Sequence, residues 1–221
     1  MAGEFGSQAV TAEFPEKWWT NLIQTNHNAS SPLPVHAMSE AKDQTEEIIN
    51  LIWDREKYYL VAAGKSAPSK DELRAFALQY GVTLPSEYLA HASGYWGGLY
   101  LEVREEFWPR HKEGDVGPFW SFLYGLFTHA LSEEAPEWMQ LRVAADEFRD
   151  MGHQVLPFLK IVGDADVYCF DAEGRVVRWS HEEDIFERQD GTFFDVLRHE
   201  FLEMDDRRKR KAEVLANPPK S

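Results

Sequence analysis

Few side chains in this sequence are placed to do chemistry. Asp164 and Asp166 stand two residues apart with His181 downstream, a set of oxygen and imidazole donors that suits several divalent ions. The pattern of a calcium loop is not continued, because Tyr168 and Phe170 fall where later ligands belong, and no histidine pair at i, i+4 stands nearby. Asp-x-Asp at the start of a strand serves equally as a turn cap. Cys169 is the only cysteine, so neither an intramolecular disulfide nor a cysteine zinc site can form. Lying between Tyr168 and Phe170, it reads as a small buried hydrophobe with no activating base marked. His181-Glu182 and His199-Glu200 are sequential neighbours that point apart on a strand or helix, so neither is an acid/base pair. Gly64-Lys65-Ser66 copies the end of a phosphate-binding loop, but Tyr59 stands where that loop needs glycine and Pro68 follows where a helix should run. No catalytic residue, metal site or cofactor is expected.

The elements that would position these groups are legible across residues 156–201. An apolar run over 156–162 ends in Gly163-Asp164. A second, over 166–170, stops at the turn Asp171-Ala172-Glu173-Gly174 and resumes as Val176-Val177-Arg178-Trp179, which predicts a hairpin. A charged loop follows, and Asp190-Gly191 introduces Phe193, Phe194, Leu197 and Phe201 at helical spacing. Strands joined by a tight turn are antiparallel neighbours, and a helix with one apolar stripe covers a face of their sheet. The expected fold is α+β: a largely antiparallel sheet of about five to six strands covered by helices, with an extra N-terminal helical segment.

With 221 residues, 43% hydrophobic and 14% aromatic, the chain is long enough for one substantial core. No apolar run approaches the ~20 residues that span a bilayer, and residues 1–7, MAGEFGS, read as a cloning remnant and not as a secretion signal. A cytoplasmic protein is expected. Net charge is −15, and setting aside the five cations of residues 207–211 leaves −20. Such a surface repels phosphate backbones and speeds encounters with basic proteins. Direct nucleic-acid and membrane partners are not expected; a basic protein is.

In chain order, Pro15 with Trp18, Trp19, Leu22 and Ile23 predicts a short amphipathic helix, and residues 26–34 a loop. Ser39 opens a charged helix carrying Ile48, Ile49, Ile52 and Trp53, and residues 58–63 either extend it or form a strand. Ser69 and Glu72 form a capping box for a helix with Leu73, Phe76, Ala77 and Tyr80 inward, stopped by Gly81. Leu84-Pro85 is a rigid joint into a second short helix from Ser86, and residues 99–103 alternate as a strand. An aromatic middle of loops or short strands precedes a helix from Pro136 with Trp138, Leu141, Ala145 and Phe148 on one side. The segment from Arg207 to Lys211 reads as an exposed basic helix end.

Two pieces in this order, SKDELRAFALQYGVTLPSEYLAHASGYWGGLYL and LPFLKIVGDADVYCFDAEGRVVRWSHEE with its final helix, resemble the SUKH superfamily over residues 69–204. The most specific elements are Leu84-Pro85, the glycine-bearing turn before the first strand, Gly163-Asp164, and Asp171 with Gly174. The usual Asn-Gly-Gly after the second helix appears as residues 93–98, SGYWGG. Residues 8–68 are extra to the pattern, and residues 207–221 form a basic helix end and tail. The resemblance implies a non-catalytic binding module, most bacterial members resembling immunity proteins that neutralise secreted toxins, frequently nucleases, by direct binding in the cytosol. The alternatives are a regulatory scaffold with endogenous partners and, less favoured by the residues, a metal-dependent hydrolase. For partner binding the sequence singles out Glu102, Glu105, Glu106 and Trp108 after the first strand, and Asp164, Asp166, Glu182, Glu183 and Asp184 at the ends of the hairpin. Any one of these carboxylates is also explained as a solvated acidic face; as a group around an aromatic anchor they have the composition of a binding surface.

Overall fold

The computed structural model describes residues 44–62, 66–111 and 117–217. The Trp18-Trp19 helix, the Ser39 helix start, Gly64-Lys65 and the final residues lie outside them. Seven strands form one sheet in sequence order, each antiparallel to the next: β1 Tyr58–Val61, β2 Tyr100–Val103, β3 Gly125–Thr128, β4 Leu156–Ile161, β5 Val167–Phe170, β6 Val176–Ser180 and β7 Ile185–Arg188. The α+β expectation holds, with a strand count above five to six. The ambiguous segment at Tyr58 is the strand β1, the aromatic middle contains β3, and the charged loop after β6 contains β7.

Five α-helices accompany the sheet among the described residues: α1 Gln44–Asn50, α2 Lys70–Gln79, α3 Ser86–Ala92, α4 Leu141–Asp150 and α5 Phe193–Ala216. The Ser69 and Glu72 side chains cap α2 as a box, and Thr192 with Asp195 does the same for α5. Alternation along β5 sends Phe170 to one face and Cys169 to the other. On the first face Phe158 stacks on Phe170 at 4.3 Å between centroids, and Tyr88 of α3 and Phe193 of α5 close over them. On the second face Phe148 of α4 packs with Val155, Val167, Cys169, Val177 and Trp179. The helix expected from Pro136 is interrupted: Glu137–Met139 is a 3-10 turn, and Gln140 is extended because it bridges to Ala130 before α4 begins. No helix among the described residues is long and apolar enough to cross a membrane.

Two pieces of sequence far apart in the chain meet at the hairpin turn. Asp171 Oδ1 accepts from the N–H groups of Glu173 and Arg175 at 3.1 and 2.8 Å. The joint before α3 lies against this turn, Thr83 N–H donating to the Ala172 carbonyl at 3.1 Å. Gly174, at φ 81°, sits where a Cβ would run into the Thr83 carbonyl.

Candidate functional site

In a meander the connections fall alternately at opposite ends of the sheet. Those following β2, β4 and β6, described over residues 104–111 with 117–124, 162–166 and 181–184, therefore share one end. These connections carry all the carboxylates and the tryptophan singled out in the sequence except Glu102, which belongs to the end of β2 itself. Direct contacts join them. Val162 N–H donates to the Gly125 carbonyl at 2.9 Å, the Phe122 carbonyl lies against Gly163, and His181 N–H donates to Asp166 Oδ1 at 3.1 Å. The three connections thus adjoin one another at this end of the sheet as a rim.

Its members differ in what they can offer. Glu105, Glu106, Glu182 and Glu183 are exposed and have no hydrogen-bond or ion-pair partner among the described residues. Asp184 is exposed but engaged, its Oδ1 accepting from Trp179 Nε1 and facing His153 Nε2, each at 2.9 Å. The Trp179 bond, and His153 beside it, hold its carboxyl below the usual range. Asp164 and Asp166 share Arg178, at 2.8 and 3.3 Å, and Asp164 Oδ1 also accepts from Asp166 N–H at 3.1 Å. The Asp-x-Asp pair is therefore a turn cap whose two carboxylates are offset in part by one guanidinium. Among the described residues no three histidine, cysteine or carboxylate side chains converge in the manner of a metal site.

Two of the nine lie inside the fold and not on its surface. Trp108 is 0% exposed, its Nε1–H donating to the Ser121 carbonyl at 2.9 Å, so it is a core residue and not a displayed anchor. Glu102, on β2 between β1 and β3, is buried. Burial raises its pKa against the opposing pull of the Tyr100 hydroxyl, which donates at 2.7 Å, and of Arg110 at 3.3 Å. Its carboxylate fixes Arg110, whose guanidinium donates to the carbonyls of Trp108 and Val103 and covers the Tyr124 ring at 3.7 Å. Glu102 holds the first connection in place from below.

A polar layer that the sequence did not reveal lies between α5 and the sheet. Tyr168, opposite Arg178 in the β5–β6 pairing, donates to Glu200 Oε1 at 2.7 Å, and Arg207 Nη2 stands 3.8 Å from Glu200 Oε2. Arg207 is buried, which corrects its expected place in an exposed basic end; burial lowers its pKa against the attraction of Glu200. Arg208 is likewise half-buried, bonded to Asp205 and to Tyr58 of β1 at 2.9 and 3.1 Å. Helical spacing places Glu200, Phe201, Met204 and Arg207 toward the sheet together, a stripe that a search for apolar residues alone misses. At the other end of the sheet lies a cleft of about 320 Å³, lined by Ser86, Glu87, Arg175, Arg188, Asp190 and Thr192 among others, without histidine or cysteine.

A single antiparallel sheet with helices on both faces, and with Glu105, Glu106, Glu182 and Glu183 exposed at one end, defines an α+β module. The chain belongs to the SMI1 / KNR4 family (SUKH-1), whose family model matches residues 67–198. No curated protein and no solved structure matches it.

Proposed function

We propose that this protein is an immunity protein, which binds a cognate bacterial toxin in the cytosol and neutralises it by covering its active or substrate-binding site. The toxin is a nuclease with a basic cleft. The rim carries this reading: Glu105, Glu106, Glu182 and Glu183 stand exposed at one end of the sheet, unpaired among the described residues, in a chain of net charge −15. Unpaired carboxylates present to a basic cleft the charge that phosphates would, and the long-range field speeds encounter. Family membership supports the same reading. So does the placing of Glu102, Glu200, His91, His129 and Cys169, all buried and out of reach of a substrate.

The test is inhibition. Purified protein is mixed with the toxin domain encoded by the adjoining reading frame, and nuclease activity and binding kinetics are followed from 50 to 500 mM salt. Stoichiometric inhibition is expected, with an association rate falling about tenfold across that range as the charges are screened. Binding indifferent to salt would remove the electrostatic mechanism. Many endogenous partners with no inhibition would favour the regulatory scaffold.

A further inference from the structure

The rim displays apolar side chains beside its charges. In the connection between β2 and β3, Phe107 is 38% and Phe119 is 61% exposed, while Trp108, adjacent to the first, is in the core. Scattered exposed hydrophobes are ordinary, but the backbone beneath Phe107 is held by several hydrogen bonds. Arg104 N–H donates to the Lys57 carbonyl at 2.8 Å, and Arg104 Nε to the Arg55 carbonyl at 2.9 Å. The N–H groups of Phe107 and Trp108 both donate to the Arg104 carbonyl at 3.0 Å. Past the turn, Arg110 clamps the carbonyls of Trp108 and Val103 from its seat on Glu102. Phe119 stands beside Trp120, whose ring meets Trp108 edge-on at 6.3 Å and lies under the Arg210 guanidinium. An apolar ring held rigidly in water binds with little further loss of conformational freedom.

We infer that Phe107 and Phe119 are the apolar anchors of the interface, with Glu105 and Glu106 as the charged border of the first. The surface they fit is an apolar pocket on a protein, edged by lysine or arginine. This rests on the protein-binding reading above and divides its labour: the carboxylates set the rate of encounter and the phenylalanines set the lifetime of the complex. The chemistry selects the occupant. Phosphate backbones and anionic lipid headgroups are repelled by Glu105 and Glu106, and a two-fold contact with a second copy would set these carboxylates against themselves.

The full-length chain carrying Phe107→Ser, Phe119→Ser, both, or Glu105→Gln with Glu106→Gln is compared with the unaltered protein. Each is measured against the inactivated toxin domain from the adjoining reading frame, at 50 and 500 mM salt. Leu78→Ser, at a residue 77% exposed on α2, is the control for an apolar side chain outside the rim. Each phenylalanine substitution is expected to raise the dissociation rate about tenfold at both salt concentrations, with the fold retained and the melting temperature lowered by no more than about 5 °C. The glutamate pair is expected to lower the association rate several-fold at 50 mM, an effect that disappears at 500 mM. Phenylalanine variants dissociating at the unaltered rate, or Leu78→Ser weakening the complex as much, would overturn the inference while leaving the toxin-binding reading intact. Failure of the unaltered protein to bind would bring down that reading first, and this one with it.

Discussion

Replacing Trp108 with alanine separates the core from the rim that surrounds it. The ring is 0% exposed, and its Nε1–H is bonded to the Ser121 carbonyl at 2.9 Å. Truncating a buried tryptophan removes roughly 3–5 kcal/mol through lost transfer energy and the cavity left behind. The abandoned carbonyl adds about 1 kcal/mol. Ser121 also holds His111 Nε2 through its hydroxyl at 2.8 Å, so the 3-10 turn Phe119–Phe122 loosens with the cavity. For a body of this size each kcal/mol moves the melting temperature by about 2–4 °C, and a fall of about 10 °C or more is expected. Trp108→Phe, which refills most of the volume but lacks the donor, should recover most of it. The assay is thermal melting by circular dichroism, paired with association kinetics at a temperature where the variant remains folded. Association should keep its unaltered rate, because Glu105 and Glu106 still face solvent. An unchanged melting temperature together with lost binding would show that Trp108 touches the partner, and the reasoning from burial would be refuted.

Acid should destabilise the fold through its buried histidines. Burial pulls His91 and His129 down from 6.5 to about 3, so between those values the unfolded chain takes up protons that the folded chain refuses. Their stabilisation is complete above pH 6.5 and is lost as pH falls toward 3, at about 1.4 kcal/mol per pH unit per group; urea midpoints that stay level from pH 6.5 to 4, or that do not flatten in His129→Gln, would contradict it. Arg207→Ala strands Glu200 in the interior and should remove roughly 3–5 kcal/mol, most of it recovered by Arg207→Met with Glu200→Gln, since a buried ion pair contributes little beyond mutual neutralisation. Equal denaturant midpoints for the single and double variants would show that the pair is not coupled. Gly174→Val forces a branched side chain into a left-handed turn against the Thr83 carbonyl, and a loss of about 2 kcal/mol or more is expected; a neutral outcome in chemical denaturation would mean that the α3 joint does not need this turn.

The features readable without coordinates are those fixed by a few neighbouring residues. Ser69 and Glu72 cap α2 from three positions apart, and Asp171 with Gly174 sets the β5–β6 turn through bonds that span four residues. Asp164 and Asp166 cap a turn as their spacing allows. Even the gathering of the acidic connections follows from strand order once neighbours pair antiparallel. The strand count was less legible because the short, exposed edge β7 has no alternation of apolar and polar residues, and because β3 hides among aromatics that suit either a loop or a strand.

What depended on the tertiary structure was the direction each side chain faces when both answers are locally permitted. Phe107 and Trp108 are adjacent aromatics, and it is Trp108 that meets the Ser121 carbonyl and the ring of Trp120 on the returning chain and is buried in the core. Glu102 and Glu105 are both carboxylates near the end of β2, but the first is buried with Tyr100 and Arg110 on its carboxylate while the second stands in water. Arg207 belongs to a run of five cations, and α5 turns it toward Glu200 because the helix continues across the sheet past the last apolar residue of its stripe. Backbone preference acts over one turn of chain, whereas burial depends on which distant element arrives to cover a residue.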